Sequence, residues 1–71
     1  MKKEAVLKAF ANRLRAERLK RGLSQEKLAE LANVHRNYIG MLERAERNPS
    51  LIHFKKIAKA LKVKVGSLVE G

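Results

Sequence analysis

The sequence predicts an all-α fold, a compact bundle of four to five short helices. Apolar residues recur along most of the chain at the spacing of three and four residues that marks an amphipathic helix. No alternation of apolar and polar residues is long enough for a convincing strand. Because the chain has only 71 residues, residues 1–71 are expected to form a single domain.

The first two predicted helices are separated by a glycine. Helix one is predicted over residues 4–20. Its inner face is formed by Leu7, Phe10, Ala11 and Leu14. Gly22 is expected to end this helix, because glycine readily adopts the left-handed conformation of a C-terminal cap. Ser24 is a favourable N-cap for a second helix. The expected apolar face of that helix is formed by Leu28, Leu31 and Ala32.

The third predicted helix follows a tight turn. Asn33 is expected to form this turn, because asparagine tolerates the left-handed conformation. The helix is predicted over residues 35–44, with Ile39 and Leu42 pointing inward. His35 is expected to act as its N-cap or as a residue of the corner.

The fourth helix is predicted over residues 51–61, capped by Ser50. Its inner positions are Leu51, Phe54, Ile57, Ala58 and Leu61. A last helical turn is expected to hold Val65, Leu68 and Val69.

The charge of the chain indicates a polyanionic partner. The formal net charge is +10, with 17 basic and 7 acidic residues. The excess lies at both ends: residues 1–22 hold eight basic and two acidic residues, and residues 51–71 hold five and one. Residues 23–34 and 35–50 are nearly neutral. A specific site in the middle of the chain would therefore be flanked by two basic segments, each able to attract a polyanion without reading its sequence.

Several classes of function are excluded at this stage. The chain has no cysteine, which excludes a disulfide framework and a thiolate metal site. No metal site or cofactor is expected, and no segment is apolar enough to span a membrane. No nucleophile–base set, paired acidic residues or glycine-rich phosphate loop is present, so an enzyme is not expected. A chain of this length also leaves no room for a domain that binds a small-molecule ligand.

Residues 25–44 have the spacing of a helix-turn-helix. Two helices of about eight residues meet through a turn of three residues, and the small Ala29 lies at their expected crossing. Here the chain resembles the Cro/repressor-type (XRE-like) helix-turn-helix family, which includes small phage repressors and the controller proteins of restriction–modification systems. The resemblance covers about residues 8–69. It is carried by Arg18, Gly22 to Gln25, Leu28, Ala29, His35 to Ile39, Leu42 to Arg44 and Asn48 to Leu51. It implies a lambda-repressor-like DNA-binding domain that reads an operator, usually as a dimer.

Side chains near the start of the third helix are the candidates for reading bases in the major groove. They are His35, Arg36, Asn37, Gly40 and Met41. Arg36 can donate two hydrogen bonds to guanine O6 and N7, and Asn37 can pair with adenine N6 and N7. Met41 could contact a thymine methyl. Gly40 indicates either a close approach of the backbone to DNA or a tolerated surface glycine, and both readings stay open.

The resemblance also implies phosphate contacts and one structural ion pair. The candidates for phosphate contact are Gln25, Tyr38, Arg47, Asn48, Arg13 and Arg15. The pair that ties the first helix to the third corresponds to Arg18 and Glu43. The chain departs from the family pattern at Ala45 and Lys62, which stand where glycine often ends a helix.

The leading hypothesis is a sequence-specific transcriptional regulator that binds a palindromic operator in duplex DNA as a homodimer. The candidate dimer residues are Ile52, Val63, Val65, Leu68 and Val69. A controller protein, a phage-type repressor and an antitoxin-like regulator remain alternatives within this class, and repression and activation both remain open. A nonspecific nucleic-acid-binding module is the alternative outside it. The expected location is the cytoplasm, in association with the nucleoid.

Overall fold

The predicted all-α fold is confirmed by the computed structural model, which describes residues 3–68. Within this range the chain forms four α-helices and one short 3₁₀ turn, and no strand. The elements are α1 (Lys3–Lys20), α2 (Gln25–Ala32), α3 (Arg36–Glu43), α4 (Leu51–Leu61) and a C-terminal 3₁₀ turn (Val65–Leu68). The bounds predicted for the first, third and fourth helices agree with these to within one residue at each end.

Serine side chains start two of the helices, as predicted. The Ser24 hydroxyl accepts a hydrogen bond from the Lys27 amide at 2.9 Å, at the first turn of α2. The Ser50 hydroxyl accepts one from the His53 amide at 3.1 Å, at the first turn of α4. Each cap satisfies an amide that has no partner within the helix, and such a cap typically stabilises a protein by about 1 kcal/mol.

The helices end in residues with left-handed backbone conformation. The four residues are Gly22 (φ 67°), Asn33 (φ 55°), Ala45 (φ 59°) and Lys62 (φ 58°). In each case the next amide reaches back to a carbonyl five residues earlier, as in the 3.2 Å bond from Leu23 to Arg18. Only one of the four is glycine, so the other three carry a side chain in a conformation that L-residues adopt at a cost.

All four helices contribute to one apolar core. Its largest fully buried side chains are Leu14, Leu28, Ile39, Leu42, Ile57, Leu61 and Leu68. The rings of Phe10 and Phe54 stack with their centroids 5.3 Å apart, which joins α1 to α4. α2 packs against both α3 and α4, while α1 packs against α3. The pair α2–α3 is therefore supported from two sides.

Two of the predicted core positions are wrong. Leu31 in α2 is 50% exposed, and Leu51 at the start of α4 is 66% exposed. In α2 the buried residues are instead Leu28, Ala29 and Ala32. Leu51 is the first residue of α4 and extends beyond the part of that helix that its neighbours cover.

The C-terminal 3₁₀ turn folds back onto the helices. Arg13 in α1 donates from Nε to the Ser67 carbonyl at 3.0 Å, and Leu68 is fully buried in the core. The prediction that Leu68 belongs to a dimer interface is therefore wrong, because the core already uses its side chain.

Glu17 occupies a position of α1 where an apolar residue is usual in the resembled family. Its carboxylate accepts a hydrogen bond from Arg21 one turn later. The hydrogen bond from Arg21 lowers the pKa of Glu17, because it favours the ionised carboxylate. The two residues form a surface ion pair along α1.

Candidate nucleic-acid interface

The turn between α2 and α3 sets the direction of the third helix. Asn33 takes the left-handed conformation, and the Val34 amide closes the turn on the Ala29 carbonyl at 3.0 Å. His35 then caps α3, since its Nδ1 accepts a hydrogen bond from the Asn37 amide at 3.1 Å. Only Nε2 of His35 remains available for a contact with DNA. The start of α3 is thus held by its own backbone and by one side-chain cap.

A buried ion pair anchors the other end of α3. Arg18 donates from Nε to Glu43 Oε2 at 2.7 Å and from Nη2 to Oε1 at 3.0 Å. Its Nη1 donates to the Leu23 carbonyl at 2.8 Å, and Gln25 Nε2 donates to Glu43 Oε1 at 3.1 Å. The Glu43 side chain is only 3% exposed. The hydrogen bonds from Arg18 therefore fix the end of α3 relative to α1, and the bond from Gln25 fixes it relative to the start of α2.

The pKa of Arg18 follows from this arrangement. The hydrogen bond to Glu43 raises the pKa of the guanidinium, although burial acts in the opposite direction. The charged form of Arg18 is therefore favoured by its partner in α3.

Most of the predicted base-reading side chains lie together on the outer surface of α3. His35, Arg36 and Asn37 are exposed, and Met41 is half-buried. Gly40 belongs to the same face but is buried beneath neighbouring side chains. A Cβ at this position would lie 3.0 Å from Arg44 Nη1 and 3.5 Å from Gln25 Oε1. The missing side chain makes room for these two residues.

An open groove lies between the first turn of α2 and the outer face of α3. Its volume is about 600 Å³. Its lining consists of Gln25, Glu26, Arg36, Asn37, Gly40, Met41, Arg44 and Glu46. Four of the five predicted base-reading residues therefore line one concave surface. The fifth, His35, directly precedes Arg36 in the sequence.

The two arginines of the groove are both paired with glutamates. Arg36 Nη1 donates to Glu26 Oε2 at 2.8 Å, and Arg44 Nε donates to Glu46 Oε2 at 2.9 Å. The bond to Glu46 also raises the pKa of Arg44. Because two cations face two anions, the formal charge of the groove lining is zero.

The candidate phosphate-contacting residues fall into two groups. Arg47 and Asn48 are exposed in the loop after α3, and Arg15 is exposed on α1. Gln25 and Tyr38 are half-buried. The ring of Tyr38 meets the ring of His53 edge-on, with the centroids 4.8 Å apart, so His53 is not simply a surface residue.

Arg13, a predicted phosphate contact, also makes contacts within the fold. Its Nε is engaged by the Ser67 carbonyl and lies 3.7 Å from Glu17 Oε2. Its guanidinium holds the C-terminal turn onto α1, and this contact gives it a structural function.

The predicted dimer residues differ in exposure. Ile52 is 68% exposed and Val65 is also exposed, whereas Val63 is half-buried against the core and Leu68 is fully buried. Val69 lies outside the described residues. Leu51, adjacent to Ile52, was assigned to the core but belongs to the exposed apolar surface.

Sequence reasoning missed Glu26, Arg44 and Glu46 as residues of the groove. Arg44 follows Gly40 by four residues, so helical spacing could have placed its side chain over the glycine. The pairing of Arg36 with Glu26 joins two helices across a turn, and no local pattern reports it.

The described residues were also compared with the requirements of a metal site and of a membrane-spanning helix. Among residues 3–68, no cluster of three or more His, Cys, Asp or Glu side chains is arranged to hold a metal ion. In the same range, no helix has both the length and the apolarity needed to cross a bilayer.

Comparison with known proteins was made for the sequence and for the fold. A helix-turn-helix family model matches residues 14–68. The control protein C.SmaI of Serratia marcescens is 42% identical over 64 residues, which cover 90% of this chain and 76% of that protein. The immunity repressor of Bacillus phage phi105 is 42% identical over 57 residues, which cover 80% of this chain and 40% of the repressor.

A solved structure shares the fold over nearly its whole length. The restriction–modification controller protein C.AhdI from Aeromonas hydrophila superposes with a TM-score of 0.88 at 45% identity. The match covers 90% of this chain and 97% of C.AhdI.

Proposed function

The chain belongs to the helix-turn-helix family of DNA-binding transcription regulators, and from this premise we propose that it reads a specific duplex operator through α3. The observation that carries the proposal is the exposed row of His35, Arg36 and Asn37 at the first turn of α3. These polar side chains are not needed by the core. Their helix is fixed at its far end by the Arg18–Glu43 pair.

In the proposed complex, the outer face of α3 lies in the major groove. Arg36 donates to guanine O6 and N7, while Asn37 pairs with an adenine or holds a phosphate. Met41 and the free Nε2 of His35 contact neighbouring base edges. At Gly40 the missing side chain leaves room for the Arg44 guanidinium and brings the backbone of α3 close to the DNA.

Phosphate contacts position the domain on the duplex without reading the sequence. Arg47 and Asn48 follow α3, and Gln25 begins α2, so they can grip the backbone on both sides of the recognition helix. The Tyr38 hydroxyl is the fourth contact, and Arg15 a more distant one. The excess of ten positive charges supplies general attraction to DNA.

We propose that two copies bind together. Leu51 and Ile52 at the start of α4 are among the most exposed large apolar side chains of the described chain. Val65 opens the 3₁₀ turn that packs on α4, and it is also exposed. Burial of these side chains against a second copy would remove them from water and place two α3 helices on one operator.

Within the family, we propose a controller protein of a restriction–modification system as the specific role. The similarity to C.AhdI extends over 97% of that protein, whereas the match to the phage repressor covers 40% of its length. Such a regulator would act on DNA in the cytoplasm, would catalyse no reaction, and could repress or activate its target genes.

The test is the loss of sequence discrimination in Arg36→Gln. The probe is a duplex enriched by the wild-type protein from a randomised pool, compared with a scrambled duplex of the same base composition. We expect the ratio of the two dissociation constants to fall about tenfold, because one bidentate base contact discriminates by about 1–3 kcal/mol.

The matched control is Lys55→Gln, which removes the same charge from an exposed position of α4. It should weaken binding to both duplexes by a similar factor and leave their ratio unchanged. If Arg36→Gln behaves like this control, Arg36 reads no base. If the wild-type protein itself enriches no duplex and binds all duplexes alike, the protein is the nonspecific module.

A further inference from the structure

Glu26 faces Arg36 across the helix-turn-helix. Arg36 Nη1 donates to Glu26 Oε2 at 2.8 Å, and both side chains are exposed. Glu26 belongs to the first turn of α2, while Arg36 is the first residue of α3. The pair therefore lies at the open edge of the groove, where a duplex would approach.

The geometry of the guanidinium leaves room for a second partner. Arginine has five N–H donors in one plane, and Glu26 engages a donor of Nη1 only. The edge formed by Nε and Nη2 remains free. This edge can donate two parallel hydrogen bonds to guanine O6 and N7 while Nη1 stays on Glu26.

The same carboxylate opposes contacts with phosphate. A phosphate oxygen that approaches Arg36 also approaches the negative charge of Glu26. To transfer Arg36 fully to the DNA backbone, the protein must break the ion pair and leave Glu26 beside the phosphates. Glu46 holds Arg44 in the same manner, so neither arginine of the groove is an uncompensated cation.

We propose that Glu26 is a positioning residue that determines specificity: it orients Arg36 toward guanine and withholds it from phosphate. This inference rests on the proposed function, because it assumes that Arg36 reads a base. If Glu26 acts in this way, its carboxylate weakens binding to unrelated DNA more than it weakens binding to the operator.

The experiment compares Glu26→Gln with Glu30→Gln. Glu30 is one turn further along α2, is exposed to a similar degree (69% against 71%) and pairs with Lys27 at 3.4 Å, but it does not line the groove. Both substitutions remove one negative charge and keep the side-chain shape. The probes are the enriched and scrambled duplexes defined above, at one fixed salt concentration.

We expect Glu26→Gln to reduce the ratio of the two dissociation constants by about threefold to fivefold, mainly by tighter binding to the scrambled duplex. Glu30→Gln should tighten binding to both duplexes by one common factor. The melting temperature should stay unchanged in both variants, because the two glutamates are exposed. In an Arg36→Gln background, the effect of Glu26→Gln on the ratio should disappear.

Three outcomes would overturn the inference, and the third would also overturn the proposed function. Equal shifts for both duplexes in Glu26→Gln would reduce Glu26 to a general surface charge. An effect on the ratio that persists without Arg36 would show that Glu26 acts by another route. If instead Arg36→Gln alone leaves the ratio intact, the proposed base reading fails, and the inference fails with it.

Discussion

Ala45 ends α3 in a conformation that favours glycine. Its φ is 59°, and its amide donates to the Leu42 carbonyl at 3.1 Å, so the left-handed cap is formed despite the methyl group. An L-residue pays about 1–2 kcal/mol for this conformation. The departure from the family pattern noted in the sequence is therefore visible in the structure as local strain, not as a longer helix.

We expect Ala45→Gly to raise the free energy of unfolding by about 0.5–1 kcal/mol, because relief of the strain exceeds the added freedom of the unfolded chain. Urea denaturation measures the change. The control is Ala16→Gly at an exposed position inside α1, which should lower the free energy of unfolding by about 1 kcal/mol. An Ala45→Gly variant that is equally or less stable than the wild type would contradict the assignment.

The contact between α1 and α3 contains one buried polar cluster, which is centred on the ion pair of Arg18 with Glu43. Within this cluster, Arg18 also donates to the Leu23 carbonyl, and Glu43 also accepts from the side-chain amide of Gln25. The pair therefore joins α1, α3 and the segment that starts α2. A buried pair of this kind adds little stability relative to apolar residues, but loss of one partner leaves an unpaired buried charge.

We expect Arg18→Ala to lower the free energy of unfolding by about 3–5 kcal/mol. Glu43→Gln, which keeps the shape and removes the charge, should give a smaller loss and remain folded. Arg21→Ala is the control, since its ion pair with Glu17 is closer to the surface and should give a much smaller loss than Arg18→Ala. Unfolding curves that match the wild type, together with abolished DNA binding, would instead make Arg18 a direct DNA contact.

At the scale of single helices, the features that the sequence predicts correctly are those that local chemistry determines. Ser24, Ser50, Gly22 and Asn33 act within a few residues of their own position, and each is found in its predicted role. The resemblance to the family supplied the partnership of Arg18 with Glu43, which are far apart in the chain.

The failures have a common physical cause. Periodicity gives the relative directions of side chains on one helix but not how far the neighbouring helices cover it. Leu31 and Leu51 therefore fit the apolar pattern and still face solvent, whereas Leu68 is buried because the 3₁₀ turn folds back. The pairing of Arg36 with Glu26 depends on the angle between two helices and leaves no trace in local sequence.

In the molecule as a whole, the excess of basic residues and the proposed base-reading groove belong to different parts of the chain. The basic excess belongs to the first 22 and last 21 residues, while the groove between α2 and α3 has no formal net charge. In the proposed complex, the flanks hold the DNA backbone and the groove reads base identity. In the proposed dimer, the exposed side chains of Leu51 and Ile52 join the two copies and place two recognition helices on one duplex.

The central claim is that α3 reads duplex DNA as one half of a symmetric pair, and selection from a pool of randomised duplexes tests it most directly. For the wild-type protein we expect an enriched inverted repeat whose half-sites are about 10 base pairs apart, centre to centre. Ile52→Glu should abolish this enrichment, while Leu31→Glu, at another exposed leucine, should preserve it. Enrichment of no sequence, or of a single site without a repeat, would contradict the claim.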